Sequence, residues 1–166
     1  MLNRTMRFQT LVMILALGSS LAAPPAAADP PAAWAERAQR FSDWRLDCRR
    51  DPCTPWTAVR GADGSQVLRL AAEPSDAPSL VLTTPLPLLL PDGLTLAVGA
   101  EPERAVPWRT CGAGGCEARL PLEGPLVATL RRERAGSATF TLVDGIKVRL
   151  PFSLLGFTAA SRAASP

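Results

Sequence analysis

From Phe41 onward the chain breaks into short runs of alternating apolar and polar residues: Trp44 to Cys48, Trp56 to Arg60, Gln66 to Ala71, Leu80 to Thr84, Leu94 to Val98, Trp108 to Cys111, Glu117 to Leu120, Ala138 to Val143 and Ile146 to Phe152. Alternation sends successive side chains to opposite faces of a pleated strand, so each run reads as a strand with one buried face. Asp-Gly dipeptides at 63–64, 92–93 and 144–145 lie near or between these runs, and that pair suits the positive φ values of a type I′ turn. The last is the clearest hairpin, with Ile146, Val148 and Leu150 on one face and Lys147 and Arg149 on the other. Only Pro125 to Arg132 suggests a helix, with proline near its first turn and an apolar stripe of Leu126, Val127 and Leu130. The expected fold is all-β: a single β-sandwich or barrel-like domain of about eight to ten short strands with at most one short helix.

The N-terminus follows another pattern. Arg4 and Arg7 precede an apolar run from Phe8 to Leu17, and a small-residue tract ends in Ala26-Ala27-Ala28. This is the layout of a secretory signal, far short of the ~20 apolar residues that span a bilayer, with cleavage expected after Ala28. Residues 29–40, rich in alanine and proline, read as a flexible linker, 41–160 as the β-domain and 161–166 as a disordered tail. After cleavage no transmembrane segment is expected, and the protein would reside in the periplasm or be secreted or associated with the outer envelope.

Composition narrows the chemistry. The full chain has 18 basic and 15 acidic residues, and losing Arg4 and Arg7 leaves 16 against 15, a net charge of +1. The densest basic cluster, Arg131, Arg132 and Arg134, is interrupted by Glu133, so no nucleic-acid partner is expected. With no histidine or tyrosine and a single lysine, Lys147 on the outward face of its strand, the chain lacks the usual nucleophile–base arrangements. Asp43, Asp47 and Asp51 are close in sequence but read as a solvated strand edge and loop, as do Glu101 and Glu103. No catalytic residue, metal site or cofactor is expected.

The stretch CGAGGC, Cys111 to Cys116, and the pair Cys48 and Cys53 carry the remaining chemistry. Zinc is disfavoured by the wide spacing, the absence of histidine and the oxidising compartment. Redox catalysis would call for Cys-x-x-Cys at a helix start, whereas strands flank both pairs. A phosphate cradle would lead into a helix with a basic residue in reach, and Glu117 follows instead. Disulfides remain. Four cysteines permit three connectivities. A long-range bond would contribute roughly 4 kcal/mol against roughly 2 for a local one, but neighbours in sequence meet more often, and facing residues at a hairpin end lie at bonding separation. Cys48–Cys53 and Cys111–Cys116 are therefore expected. Trp44, Trp56 and Trp108 each lie within four residues of a cysteine. Most such rings shield disulfides in β-sandwich cores, but Trp108, beside the glycine turn and before Arg109, is the one expected to be exposed for partner binding. Phe157 is expected to close the core, with Gly156 bending the chain.

The motifs FSDWRLDC, TPLPLLLPDGLTLAVG, WRTCGAGGCEARLPL and LPFSLLGFTAA, in that order over roughly Phe41 to Ala160, resemble the invasion-associated locus B family of exported bacterial proteins. The resemblance implies an envelope or secreted β-domain without known enzymatic activity, and the family name records a link to host-cell invasion. The function expected is thus that of a non-enzymatic, disulfide-stapled binding or accessory protein whose partner is an unidentified protein or envelope component. A thiol–disulfide oxidoreductase and a structural envelope-stability factor are the alternatives.

Overall fold

A computed structural model of the chain describes residues 39–85 and 87–164. All nine expected strands form, most with ends shifted by a residue or more: β2 (Trp44–Asp47), β3 (Thr54–Arg60), β4 (Gln66–Glu73), β5 (Ser79–Thr84), β6 (Leu94–Val98), β8 (Trp108–Gly112), β9 (Gly115–Pro121), β10 (Ala135–Thr141) and β11 (Lys147–Ser153). Two short strands join them, β1 (Arg40–Phe41) and β7 (Arg104–Val106), making eleven among the described residues rather than eight to ten. Two helices are present where at most one was expected. Helix α1 (Gly124–Arg132) is the anticipated one, and α2 (Phe157–Ala164) is additional.

The strands form two antiparallel sheets, one in the order β1-β2-β3-β4-β5-β9-β8 and one in the order β11-β10-β6-β7. One apolar cluster spans both. Leu68, Leu70, Leu80, Leu82, Ala118 and Leu120 of the larger sheet share it with Leu94, Leu96, Val98, Ala138, Phe140 and Phe152 of the smaller. Two apolar faces packed against each other remove both from water, the driving force of a two-layer β architecture. The chain itself passes between the sheets at Pro107, which separates β7 on the edge of one from β8 on the edge of the other.

Helix α2 covers the β1–β3 region of the larger sheet. It buries Phe157, Ala160 and Ala164, and the Phe157 ring meets Trp44 edge to face at 4.9 Å. Trp44 is fully buried and its indole N–H donates to the Ser153 carbonyl at 3.1 Å. As expected, Phe157 closes the core and Gly156 bends the chain: its φ is +95°, and a Cβ there would stand 1.8 Å from the Phe41 carbonyl oxygen. The helix also extends the ordered domain past 160, so residues 161–164 are helical where a disordered tail was expected. At the other end Arg40, assigned to the linker, belongs to β1 and pairs with Arg45 of β2. The expected signal segment and most of the linker lie outside the described residues.

The hairpin turns differ in type from the expectation. At 144–145, the Gly145 N–H donates to Leu142 and the Leu142 N–H to Ile146, and only the glycine has positive φ, +84°. This is a type I turn followed by a left-handed glycine, the three-residue connection, rather than type I′. The turn at 61–65 repeats it with Gly64 at +80°. In both, the aspartate carboxylate accepts a backbone N–H two residues on, at 2.9 Å for Asp63 and 3.0 Å for Asp144, an interaction that favours aspartate before the glycine. Ile146 keeps the strand's register opposite Leu142 but sits at the mouth of the turn, where it is exposed, while Val148 and Leu150 turn inward and Lys147 and Arg149 outward as expected. Asp92-Gly93 makes no hairpin and ends a 3₁₀ turn, Leu90–Asp92, that leads into β6.

Candidate functional site

Both expected disulfides are present, Cys48–Cys53 and Cys111–Cys116. Cys111 and Cys116 are direct cross-strand partners on β8 and β9, with Cα atoms 4.0 Å apart. Cys48 and Cys53 close the β2–β3 turn just beyond the Asp47 and Thr54 pair. Cys116 is fully buried. Neither cysteine pair starts a helix, so the feature that lowers the pKa of an attacking thiol in dithiol enzymes is missing here.

Trp108 does not take the exposed position expected of it. It is half-buried, its ring stands edge-to-face on Phe140 at 6.4 Å, and its indole nitrogen is buried with no hydrogen-bond partner among the described residues. Its position just after the crossover at Pro107 turns it toward the core. Arg109 beside it is exposed. The carboxylates stay apart as sites: Asp43 and Asp51 are exposed, and Asp47 is held by Arg49. Among the described residues no group of three or more histidine, cysteine, aspartate or glutamate side chains could hold a metal ion.

The face that gathers functional side chains is the outward side of the larger sheet. Strand register lines up Arg45, Trp56, Ala71, Val81 and Arg119 across β2, β3, β4, β5 and β9. Ala71 and Val81 in the middle are only 0% and 2% exposed although they face away from the core. Small residues there leave room for the large side chains of Trp56, Arg69 and Arg119 around them. The guanidinium of Arg45 lies 5.6 Å from the Trp56 ring centroid and that of Arg69 5.3 Å, both within range of cation–π attraction. The ring thus attracts two cations on the outward side of the sheet.

Next to this row lies a cleft of about 340 Å³, lined by Asp47, Arg49, Arg50, Thr54, Arg69 and Glu73 and overhung by the Cys48–Cys53 turn. Its two acids are already engaged. Arg49 donates from Nε at 2.9 and 3.1 Å and from a terminal nitrogen to the Asp47 carboxylate, and Arg119 donates to Glu73 at 2.6 Å. These hydrogen bonds from Arg49 hold the Asp47 carboxyl below its usual range, against a smaller opposing effect of burial. Arg69 is half-buried, and burial pushes its guanidinium down from its ordinary value, although arginine remains a cation at any accessible pH. The Asp47, Glu73 and Glu117 carboxylates act on the Arg69 guanidinium through charge alone, with no salt bridge to it among the described residues. Sequence reasoning missed this cleft. Trp56 lies three residues after Cys53 and so reads as a disulfide-shielding ring, and its arginine neighbours come from two other strands.

Exposed apolar side chains lie elsewhere, at the end of the smaller sheet. Leu88 bridges Leu142, and the Leu89 N–H donates to Thr141 at 2.9 Å. Leu89 and Leu90 run on from that bridge along β10, away from its turn, and are exposed, as are Val143 and Ile146 of the β10–β11 turn.

A family model described as "Invasion associated locus B (IalB) protein" matches residues 44–165. The crystal structure of invasion associated protein b from Bartonella henselae is similar, with a TM-score of 0.70 over 76% of this chain and 94% of that one. At 19% identity that likeness is one of fold. No curated protein matches the chain in sequence. Since the family model spans nearly the whole two-sheet domain, both disulfides and α2, the chain belongs to the invasion associated locus B family.

Proposed function

We propose that this chain is an exported, non-enzymatic binding or accessory protein of the bacterial envelope, with the role in host-cell contact that its family name suggests. The observation that carries the reading is the Arg45–Trp56–Arg69 arrangement on the outward face of β2–β4. Tryptophan and arginine are the residue types that dominate recognition surfaces. This trio replaces Trp108 as the recognition centre, and Arg109 on the exposed edge strand is a secondary contact. Two closed disulfides fit an oxidising compartment outside the cytoplasm. No helix among the described residues is long and apolar enough to cross a membrane. Thiol–disulfide exchange is the less favoured reading, because both bonds sit at hairpin ends and Cys116 is inaccessible.

Crosslinking in native envelope and secreted fractions, with identification of the captured component, tests this reading. The wild type should yield one discrete partner that a Trp56→Ala, Arg69→Gln variant of unchanged melting temperature fails to capture. Insulin reduction above the background of a cysteine-free variant would instead favour the oxidoreductase. An unchanged set of crosslinks in the variant, with loss of envelope integrity on deletion of the protein, would favour the structural factor.

A further inference from the structure

We propose that the cleft beside the Cys48–Cys53 turn binds an anionic saccharide unit, a sugar bearing a phosphate, sulfate or carboxylate group. The inference deepens the binding-protein reading and rests on it. Because Arg49 is spent on Asp47 and Arg119 on Glu73, the donors left uncommitted are the Arg69 guanidinium, the exposed Arg50 and the Thr54 hydroxyl. Arg69 is already fixed against Trp56 and half-buried, so holding an anion costs little further side-chain entropy. A guanidinium with open, parallel N–H groups is matched to an oxoanion or carboxylate by bidentate bonding.

The rest of the cleft selects what carries the anion. At about 340 Å³ it is far roomier than a bare ion needs and lies at the lower end of small-ligand sites. All six lining side chains carry polar or charged groups, so the cleft has no purely apolar side chain for a lipid tail or an apolar peptide side chain to bury against. Strands β2, β3 and β4 are each paired on both sides, so an extended peptide cannot add to them as a further strand. A polyanion would meet Asp47 and Glu73 as well as the arginines. Sugar hydroxyls, by contrast, donate to the free lone pairs of those carboxylates while the anionic substituent reaches Arg69 and Arg50.

Calorimetric or NMR titration of the purified protein with glucose 6-phosphate, glucuronate, glucose and inorganic phosphate tests the assignment. Glucose 6-phosphate or glucuronate should bind saturably, with shifts centred on Thr54 and Arg69, while glucose should not. Inorganic phosphate should be weaker by roughly tenfold, and Arg69→Gln should weaken the sugar anion by roughly tenfold or more. Arg50→Gln, in the exposed turn, provides a second variant with the same expected direction if Arg69→Gln perturbs the sheet. Absence of saturable binding by either anionic sugar, or binding indifferent to both variants, overturns the proposal. Equal affinity for inorganic phosphate overturns its saccharide part. If crosslinking still captures a partner through Trp56 while no sugar binds, the cleft assignment falls and the binding-protein reading stands.

Discussion

The three glycines of CGAGGC are not equivalent. Gly115 has φ +111°, and a Cβ there would lie 2.2 Å from the Thr84 carbonyl oxygen, since β9 packs this end of the loop against the end of β5. At Gly112 and Gly114 an added Cβ meets nothing within 4 Å, and neither has positive φ. The expected outcome is therefore asymmetric. Gly115→Ala should lower stability by roughly 3 kcal/mol, combining a disallowed backbone conformation with a backbone collision. Gly112→Ala and Gly114→Ala should stay within about 0.5 kcal/mol of wild type. Thermal melts of the three single variants check this, and equal destabilisation by all three would contradict the packing of the loop on β5. The glycine content of this turn is plain from the chain, but the one glycine that matters depends on a strand some thirty residues away.

At the level of elements, the local pairing of the cysteines sets what the bonds contribute. A six-residue loop restricts the unfolded chain by roughly 2 kcal/mol in the chain-entropy model. Cys111→Ala with Cys116→Ala should lose about that much while the β circular-dichroism signal persists well below the melting temperature. Alanine is the better replacement, because a serine at fully buried position 116 would add an unsatisfied hydroxyl. An unshifted melt accompanied by loss of a measurable exchange activity would contradict the structural role. Alternation made nine strands legible because most bury one face, as in Leu94, Leu96 and Val98 of β6, although β8 is exposed beyond Trp108. It could not reveal β1 and β7, which are two and three residues long. Helix α2 escaped because its buried stripe is Phe157, Ala160 and Ala164, and alanines do not stand out as core residues until a partner surface is known. The cleft was illegible for a related reason: Asp47, Thr54, Arg69 and Glu73 meet only through the register of three strands.

For the whole molecule, charge distribution decides how binding should respond to salt. The chain's net charge of +3 includes Arg4 and Arg7 of the N-terminal segment, so the remainder is close to neutral and offers little long-range field. Attraction of an anionic sugar must then come from a few arginines at short range on the larger sheet. Such an interaction weakens with ionic strength but does not vanish, since Arg69 is half-buried and screening acts most on fully exposed charges. Affinity for glucose 6-phosphate should fall by roughly fivefold between about 0.05 M and about 0.5 M sodium chloride. The exposed Val143 and Ile146 of the β10–β11 turn, at the end of the other sheet, have the opposite dependence, because burial of apolar surface is strengthened by excluded salts such as sulfate. Titration across both salts therefore separates the two surfaces. Binding that holds or tightens in sulfate, and that survives Arg69→Gln but not Val143→Asp, would place recognition at the β10–β11 turn and remove it from the arginine-lined cleft.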